Sequence, residues 1–118
     1  MQNRRKVMIV DDEMDLCLLL KTYSVNKGFE VFLSHTLKEG LSTLQNVHPD
    51  IIFMDNNLPD GDGWSAAKKI SIDFPETYII LISAYHASPS DLQQSAHLKV
   101  IEKPISKTDL DKHFATIG

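Results

Sequence analysis

VMIVDD at residues 7–12 is the first of four short apolar runs, each of which is followed by polar residues. The others are IIFMD at residues 51–55, YIILISA at residues 78–84 and VIEKP at residues 100–104. Short apolar runs bounded by turn residues are typical of strands in a parallel sheet that is covered on both faces. The runs therefore predict strands that carry carboxylates, a hydroxyl and an ammonium at their carboxyl ends.

Amphipathic helices are predicted between these strands. The first helix shows an i, i+3, i+4, i+7 stripe formed by Leu16, Leu19, Leu20 and Tyr23. A short strand at residues 30–33 precedes TLKE at residues 36–39, which is typical of a capping box that begins a second helix. Further helices are expected at residues 64–73, from residue 88, and at residues 110–117.

This alternation predicts a single domain over residues 1–118 of the α/β class. We expect a flavodoxin-like doubly wound five-stranded parallel sheet, in strand order 2-1-3-4-5, with five helices. The first and third strands are neighbours in that order, so Asp12 and Asp55 should lie side by side. Ligands of such sheets bind at the carboxyl ends of the strands, so function is expected there.

Composition excludes several classes of protein. The net charge of −4 and the absence of basic clusters beyond residues 4–6 argue against direct binding of nucleic acid. One cysteine, Cys17, allows no internal disulfide and no cysteine-based metal site. We interpret it as a buried helix residue, with a redox-sensing thiol as the alternative. No apolar run approaches 18 residues and the sequence shows no signal-peptide pattern, so a cytoplasmic protein without membrane segments is expected.

The acidic residues at the strand ends suit phosphate chemistry that depends on a metal. Asp11, Asp12 and Asp55 would repel one another, and carboxylates held close together attract a cation such as Mg²⁺. Lys103 offers a mobile positive charge for a phosphoryl oxygen, and the hydroxyl of Ser83 can donate to another. Asp55 is then placed to act as a nucleophile and to form an aspartyl phosphate.

The order and spacing of these residues resemble the receiver domain of two-component response regulators. The similarity extends from the first strand to the last helix. It is carried by Asp11-Asp12, by the loop after Asp55 with Pro59 and Asp62-Gly63, by Ser83-Ala84, and by Lys103-Pro104.

The resemblance implies a signalling switch that catalyses only its own phosphorylation and dephosphorylation. Asp55 would accept a phosphoryl group from the phosphohistidine of a sensor histidine kinase or phosphotransfer protein. Asp12, Asp55 and the main-chain carbonyl of Asn57 would hold Mg²⁺, with Asp11 helping through water. The switch would act on an output domain or on a downstream protein.

The resemblance also assigns the response to phosphorylation. Ser83 and Lys103 would move toward the phosphoryl group, and the Lys103-Pro104 bond is often cis in the family. An aromatic residue usually stands where this chain has Val100. We hypothesise that Tyr85 takes over part of its role. Residues 95–98 also depart from the family pattern. In the family, the fourth helix, the fifth strand and the fifth helix usually form the output face, and its shape is expected to differ here.

Three alternatives remain open at this point. A phosphorylation-independent pseudo-receiver would act as a protein-interaction module. An aspartate-dependent phosphatase typically needs a second aspartate two residues after the nucleophile, where this chain has Asn57. A flavin or dinucleotide protein fits the fold, but no glycine-rich phosphate loop follows the first strand.

Overall fold

A five-stranded parallel sheet forms the centre of the computed structural model, which describes residues 4–84 and 97–117. Its strands are β1 (Lys6–Val10), β2 (Glu30–Ser34), β3 (Ile51–Asp55), β6 (Tyr78–Ser83) and β7 (Leu98–Glu102). The two intervening strands, β4 (Asn57–Leu58) and β5 (Gly61–Asp62), pair as a small antiparallel hairpin. The sheet order is β2-β1-β3-β6-β7, which confirms the predicted topology with the first and third sheet strands adjacent.

Four helices connect and cover the strands within the described residues. They are α1 (Met14–Asn26), α2 (Leu37–Val47), α3 (Gly63–Asp73) and α4 (Lys107–Ile117). The helix predicted from residue 88 lies outside the described residues, as do Tyr85 and residues 95 and 96. None of the four helices is long and apolar enough to cross a bilayer.

The core lies on both faces of the sheet because successive side chains of a strand point to opposite sides. In β3, Ile51 and Phe53 face α1 and α4, whereas Ile52 and Met54 face α2 and α3. All four side chains are fully buried. This explains why the strands read as continuous apolar runs.

The residues predicted to form the buried face of α1 are only partly confirmed. Leu16 and Leu20 are buried, but Leu19 is 47% exposed. Cys17 and Ser24 are buried instead, so the inward face of the helix is rotated away from Leu19. In α2, Leu44 is buried, whereas Leu41 is 38% exposed.

The thiol of Cys17 lies in the core between α1 and the end of β1. Its Sγ donates a hydrogen bond to the carbonyl oxygen of Asp11 at 3.2 Å. Burial, followed by the nearby carboxylates, raises the pKa of the thiol to about 11. Because the thiolate is the reactive form, the structure favours a core role over redox sensing.

The start of α2 confirms the predicted helix cap. The Thr36 Oγ1 atom accepts a hydrogen bond from the Glu39 amide at 3.1 Å. In return, the Glu39 Oε1 atom accepts one from the amide of His35 at 3.0 Å, one residue earlier than in a standard capping box.

We expect Thr36→Ala to lower the free energy of unfolding by about 1 kcal/mol, because the Glu39 amide loses its acceptor. Urea denaturation would measure the change. Ser42→Ala is the control, since Ser42 is an exposed residue in the interior of the same helix. A loss of equal size in both variants would contradict the capping role.

Candidate functional site

Polar side chains converge at the carboxyl ends of the sheet strands. The register pairs Val10 of β1 with Met54 of β3, so the next residues, Asp11 and Asp55, reach the same edge. One carboxylate oxygen from each of Asp11, Asp12 and Asp55 lies within 4.8 Å of the others. The structure therefore brings the three predicted acidic residues together.

Asp11 is fully buried at this edge. Its Oδ1 atom accepts a hydrogen bond from the Glu13 amide at 2.8 Å. Its Oδ2 atom is also buried, and no residue of the described chain donates to it. Burial raises the pKa of Asp11 to about 6, and the charge of Asp55 adds to the increase.

Asp55 ends β3 and is almost completely buried. Burial raises its pKa, and the charges of Asp12 and Glu13 act in the same direction. The Asn57 amide, which donates to Asp55 Oδ1 at 3.2 Å, and the Lys103 ammonium oppose this increase. A second positive charge close to Asp55 would stabilise its ionised form further.

The residues fit a hard divalent cation. Asp11 and Asp55 are buried carboxylates, whereas Asp12 is exposed at the mouth of the site. The Asp11 Oδ2 atom is buried without a hydrogen-bond donor among the described residues, which is costly for a carboxylate. Oxygen donors of this kind are the ligands that Mg²⁺ prefers.

Lys103 lies between two carboxylates. Its Nζ atom is 3.2 Å from Glu13 Oε2 and 3.8 Å from Asp55 Oδ1. Burial by itself lowers the pKa of Lys103, but the negative charges of Asp55 and Glu13 outweigh it and raise the pKa. The side chain is therefore a permanent cation at neutral pH.

Ser83 and Lys103 are joined through the backbone. Ser83 ends β6 and is buried, and its carbonyl oxygen accepts a hydrogen bond from the Lys103 amide at 2.8 Å. The Lys103-Pro104 peptide bond is cis, as the resemblance implied. Val100 is partly buried against the core, and Tyr85 lies outside the described residues.

The loop after Asp55 is fixed by its own aspartates. Asp62 caps α3 by accepting a hydrogen bond from the Trp64 amide at 3.0 Å. Asp60 reaches α2, where its two carboxylate oxygens accept from the amides of Leu37 and Lys38 at 2.7 and 2.9 Å. The hydrogen bond from the Lys38 amide, followed by that from the Leu37 amide, lowers the pKa of Asp60.

Gly63 passes unusually close to the end of β3. A Cβ atom at this position would lie 2.2 Å from the Asp55 carbonyl oxygen and 2.9 Å from Asn56 Cα. The Gly63 amide donates to the Asn56 carbonyl oxygen at 2.9 Å. Close backbone contact therefore requires glycine here.

Sequence reasoning missed Glu13, the partner of Lys103. The residue directly follows the acidic pair and precedes α1, so a third consecutive acid was the available signal. A cavity of about 430 Å³ lies beside it, and its wall includes Leu19, Ala84, Lys103 and Ile105. A larger cavity of about 480 Å³ lies between α4 and the segment that follows α1, and Asp11, Asp12 and Asp55 do not line it.

The predicted site residues thus fall into one group. Asp11, Asp12 and Asp55 form the acidic cluster, Lys103 contacts it, and Ser83 and Asn57 flank it on neighbouring segments. Their chemical roles stay predictions at this point.

The chain is similar in sequence to known regulatory proteins. Regulatory protein AtoC from Escherichia coli K12 is 29% identical over 107 residues, which cover 91% of this chain and 23% of that protein. The KDP operon transcriptional regulatory protein KdpE of the same organism is 34% identical over 94 residues, which cover 72% of this chain and 42% of KdpE. The chain therefore spans less than half the length of either relative.

A solved structure of a CheY-like response regulator receiver domain protein from Methanospirillum hungatei JF-1 superimposes with a TM-score of 0.85. It is 25% identical, and the alignment covers 96% of this chain and 92% of that one. The family model described as the response regulator receiver domain matches residues 7–115. This match confirms the resemblance seen in the sequence, and the chain belongs to the response regulator receiver domain family.

Proposed function

We propose that this protein is a phosphorylation-controlled switch of a two-component phosphorelay. Asp55 accepts a phosphoryl group from a phosphohistidine on a sensor histidine kinase or phosphotransfer protein. The observation that supports this most strongly is the grouping of the nearly buried Asp55 with Asp11, Asp12 and Lys103 at the ligand-binding edge of the sheet.

Asp11, Asp12, Asp55 and the main-chain carbonyl of Asn57 are the residues that would hold Mg²⁺. When bound, Mg²⁺ supplies positive charge that neutralises the carboxylates and a phosphoryl oxygen. The buried Asp11 Oδ2 atom and the raised pKa values of Asp11 and Asp55 support this assignment, because burial disfavours the two ionised carboxylates more than the Lys103 ammonium stabilises them.

Phosphoryl transfer would use the Asp55 carboxylate as the nucleophile. One carboxylate oxygen forms a bond to phosphorus while the bond from phosphorus to the donor nitrogen breaks. The electron pair of that bond stays on the nitrogen, and the histidine ring, which is protonated at its other nitrogen, leaves as a neutral imidazole. The Lys103 ammonium neutralises charge on the phosphoryl oxygens, and the Ser83 hydroxyl donates a hydrogen bond to one of them. The Asn57 amide at 3.2 Å helps to orient the Asp55 carboxylate.

The product of this chemistry is a conformational state and not a released metabolite. Water removes the phosphoryl group slowly because Asn57 has no carboxylate to take a proton from the attacking water, unlike the aspartate that phosphatases typically have two residues after the nucleophile. The relatives named above are called regulatory and transcriptional regulatory proteins and are longer than this chain. An output domain or a downstream protein is the corresponding partner here.

Intact mass spectrometry after incubation with acetyl phosphate and Mg²⁺ tests the proposal. We expect one phosphoryl adduct on the wild-type protein, which disappears when a chelator removes Mg²⁺. Asp55→Asn should show no adduct, because the amide is a poor nucleophile of nearly the same shape.

Circular dichroism should show that the Asp55→Asn variant is folded. An adduct of equal yield on the variant would place the phosphorylation elsewhere. If neither protein is modified by acetyl phosphate or by a phosphohistidine donor, the chain is a phosphorylation-independent interaction module instead.

A further inference from the structure

We infer that Glu13 is a positioning residue that holds the Lys103 ammonium away from Asp55 until the phosphoryl group is transferred. The inference rests on the proposed function. Lys103 Nζ lies closer to Glu13 Oε2, at 3.2 Å, than to Asp55 Oδ1, at 3.8 Å. In the unphosphorylated protein, the two carboxylates therefore compete for one cation, and Glu13 has the shorter contact.

The backbone of Glu13 is well placed for this role. Its amide is fixed by a 2.8 Å hydrogen bond to Asp11 Oδ1, inside the acidic cluster. Glu13 is also the N-cap residue of α1, yet its side chain makes no capping hydrogen bond. Its carboxylate extends instead toward Lys103, across the wall of the adjacent cavity.

Phosphorylation reverses the competition. A phosphoryl group on Asp55 carries more negative charge than the Glu13 carboxylate, so Lys103 moves from Glu13 to the phosphoryl oxygens. The pair with Glu13 is lost in the phosphorylated state and formed only in the unphosphorylated one. Glu13 therefore opposes phosphorylation, and its removal favours the phosphorylated state.

The solvent exposure of the ion pair between Glu13 and Lys103 limits how strongly Glu13 can oppose phosphorylation. The Glu13 and Lys103 side chains are 56% and 25% exposed, so solvent weakens their attraction. We expect Glu13→Gln to increase the rate of Asp55 phosphorylation by acetyl phosphate roughly two- to fivefold. Glutamine keeps the shape of the side chain and removes its charge.

Asp15→Asn is the matched control for charge alone. Asp15 lies in the first turn of α1 and lines the same cavity, but the described structure shows no ion pair between it and Lys103. If repulsion of the anionic donor explained the effect, both variants would be faster to the same extent. Positioning of Lys103 predicts that only Glu13→Gln is faster.

A second measurement uses metal-free protein without any donor. Urea unfolding of wild type, Glu13→Gln, Lys103→Gln and the double variant forms a double-mutant cycle. We expect the pair to contribute a coupling factor of roughly two to five in the unfolding equilibrium constant. A residue that only supports the start of α1 would show no coupling to Lys103.

The outcomes separate this inference from the proposed function. An Asp55 adduct that forms at the same rate in wild type and Glu13→Gln overturns the role of Glu13 and leaves the switch intact. Absence of coupling in the cycle also overturns it. Absence of any adduct, with coupling present, refutes the phosphorylation switch, and the restraint on Lys103 then has no phosphorylation to oppose.

Discussion

Asp11→Asn is expected to raise the free energy of unfolding of the metal-free protein by about 2 to 3 kcal/mol at neutral pH. Burial raises the pKa of Asp11 from 3.8 to about 6, so its ionised form is disfavoured in the folded state. Asparagine removes that charge and keeps an acceptor for the Glu13 amide. The same substitution should weaken Mg²⁺ binding, because the cluster loses a negative charge.

The pH dependence of the free energy of unfolding tests independently whether the Asp11 charge destabilises the folded state. The folded pKa of Asp11 is above the unfolded value, so the folded state binds more protons between about pH 4 and pH 6. Metal-free wild-type protein should therefore become more stable as the pH falls from about 7 to 5. This increase should be smaller in Asp11→Asn.

Urea denaturation in the presence of a chelator, at several pH values, measures both effects. Asp15→Asn serves as a control because Asp15 is an exposed carboxylate in the first turn of α1, where it favours the helix. That variant should not gain stability. Adding Mg²⁺ should stabilise wild type more than Asp11→Asn. A metal-free Asp11→Asn protein less stable than wild type would show that the Asp11 charge is already compensated.

Gly63→Ala is expected to destabilise the fold by about 3 kcal/mol. The added Cβ would lie 2.2 Å from the Asp55 carbonyl oxygen, and a backbone atom cannot move aside by rotating a side chain. Either the start of α3 or the end of β3 must shift. Because Asp55 is the last residue of β3, the shift should also slow its phosphorylation.

Gly61→Ala in the same loop is the matched control. Its added Cβ would meet Leu37 Cδ2 at 2.6 Å, which is the far end of a flexible side chain. We expect a loss of less than about 1.5 kcal/mol, because Leu37 can adopt another rotamer. Equal losses in the two variants, measured by thermal or urea unfolding, would show that the backbone near Asp55 can adjust.

The sheet and its acidic edge could be predicted because both depend on local patterns. Strands buried on both faces leave continuous apolar runs, and parallel connections restrict the possible strand orders. The residues that follow the runs must then meet at one edge. Asp11, Asp55 and Lys103 are therefore expected together without knowledge of any side-chain conformation.

Contacts between side chains of different segments could not be predicted in the same way. Glu13 and Lys103 are 90 residues apart, and their contact depends on how the first turn of α1 sits above β7. The exposure of Leu19 depends on the rotation of α1, which neighbouring buried positions determine only after packing. Asp62 was expected in the loop after Asp55, whereas the structure places it at the end of the short strand β5. Its cap on the Trp64 amide could not be predicted without knowing where α3 begins.

The two hydrogen bonds from α2 to Asp60 make the first amides of this helix sensitive to the loop that follows Asp55. The amides of Leu37 and Lys38 donate hydrogen bonds to the Asp60 side chain of that loop and not to a carbonyl group of their own helix. Their exchange with deuterium therefore requires the loop to separate from the helix, even when α2 remains intact. The protein thus carries two backbone amides, remote from Asp55 in sequence, whose exchange rates record how often the loop beside Asp55 opens.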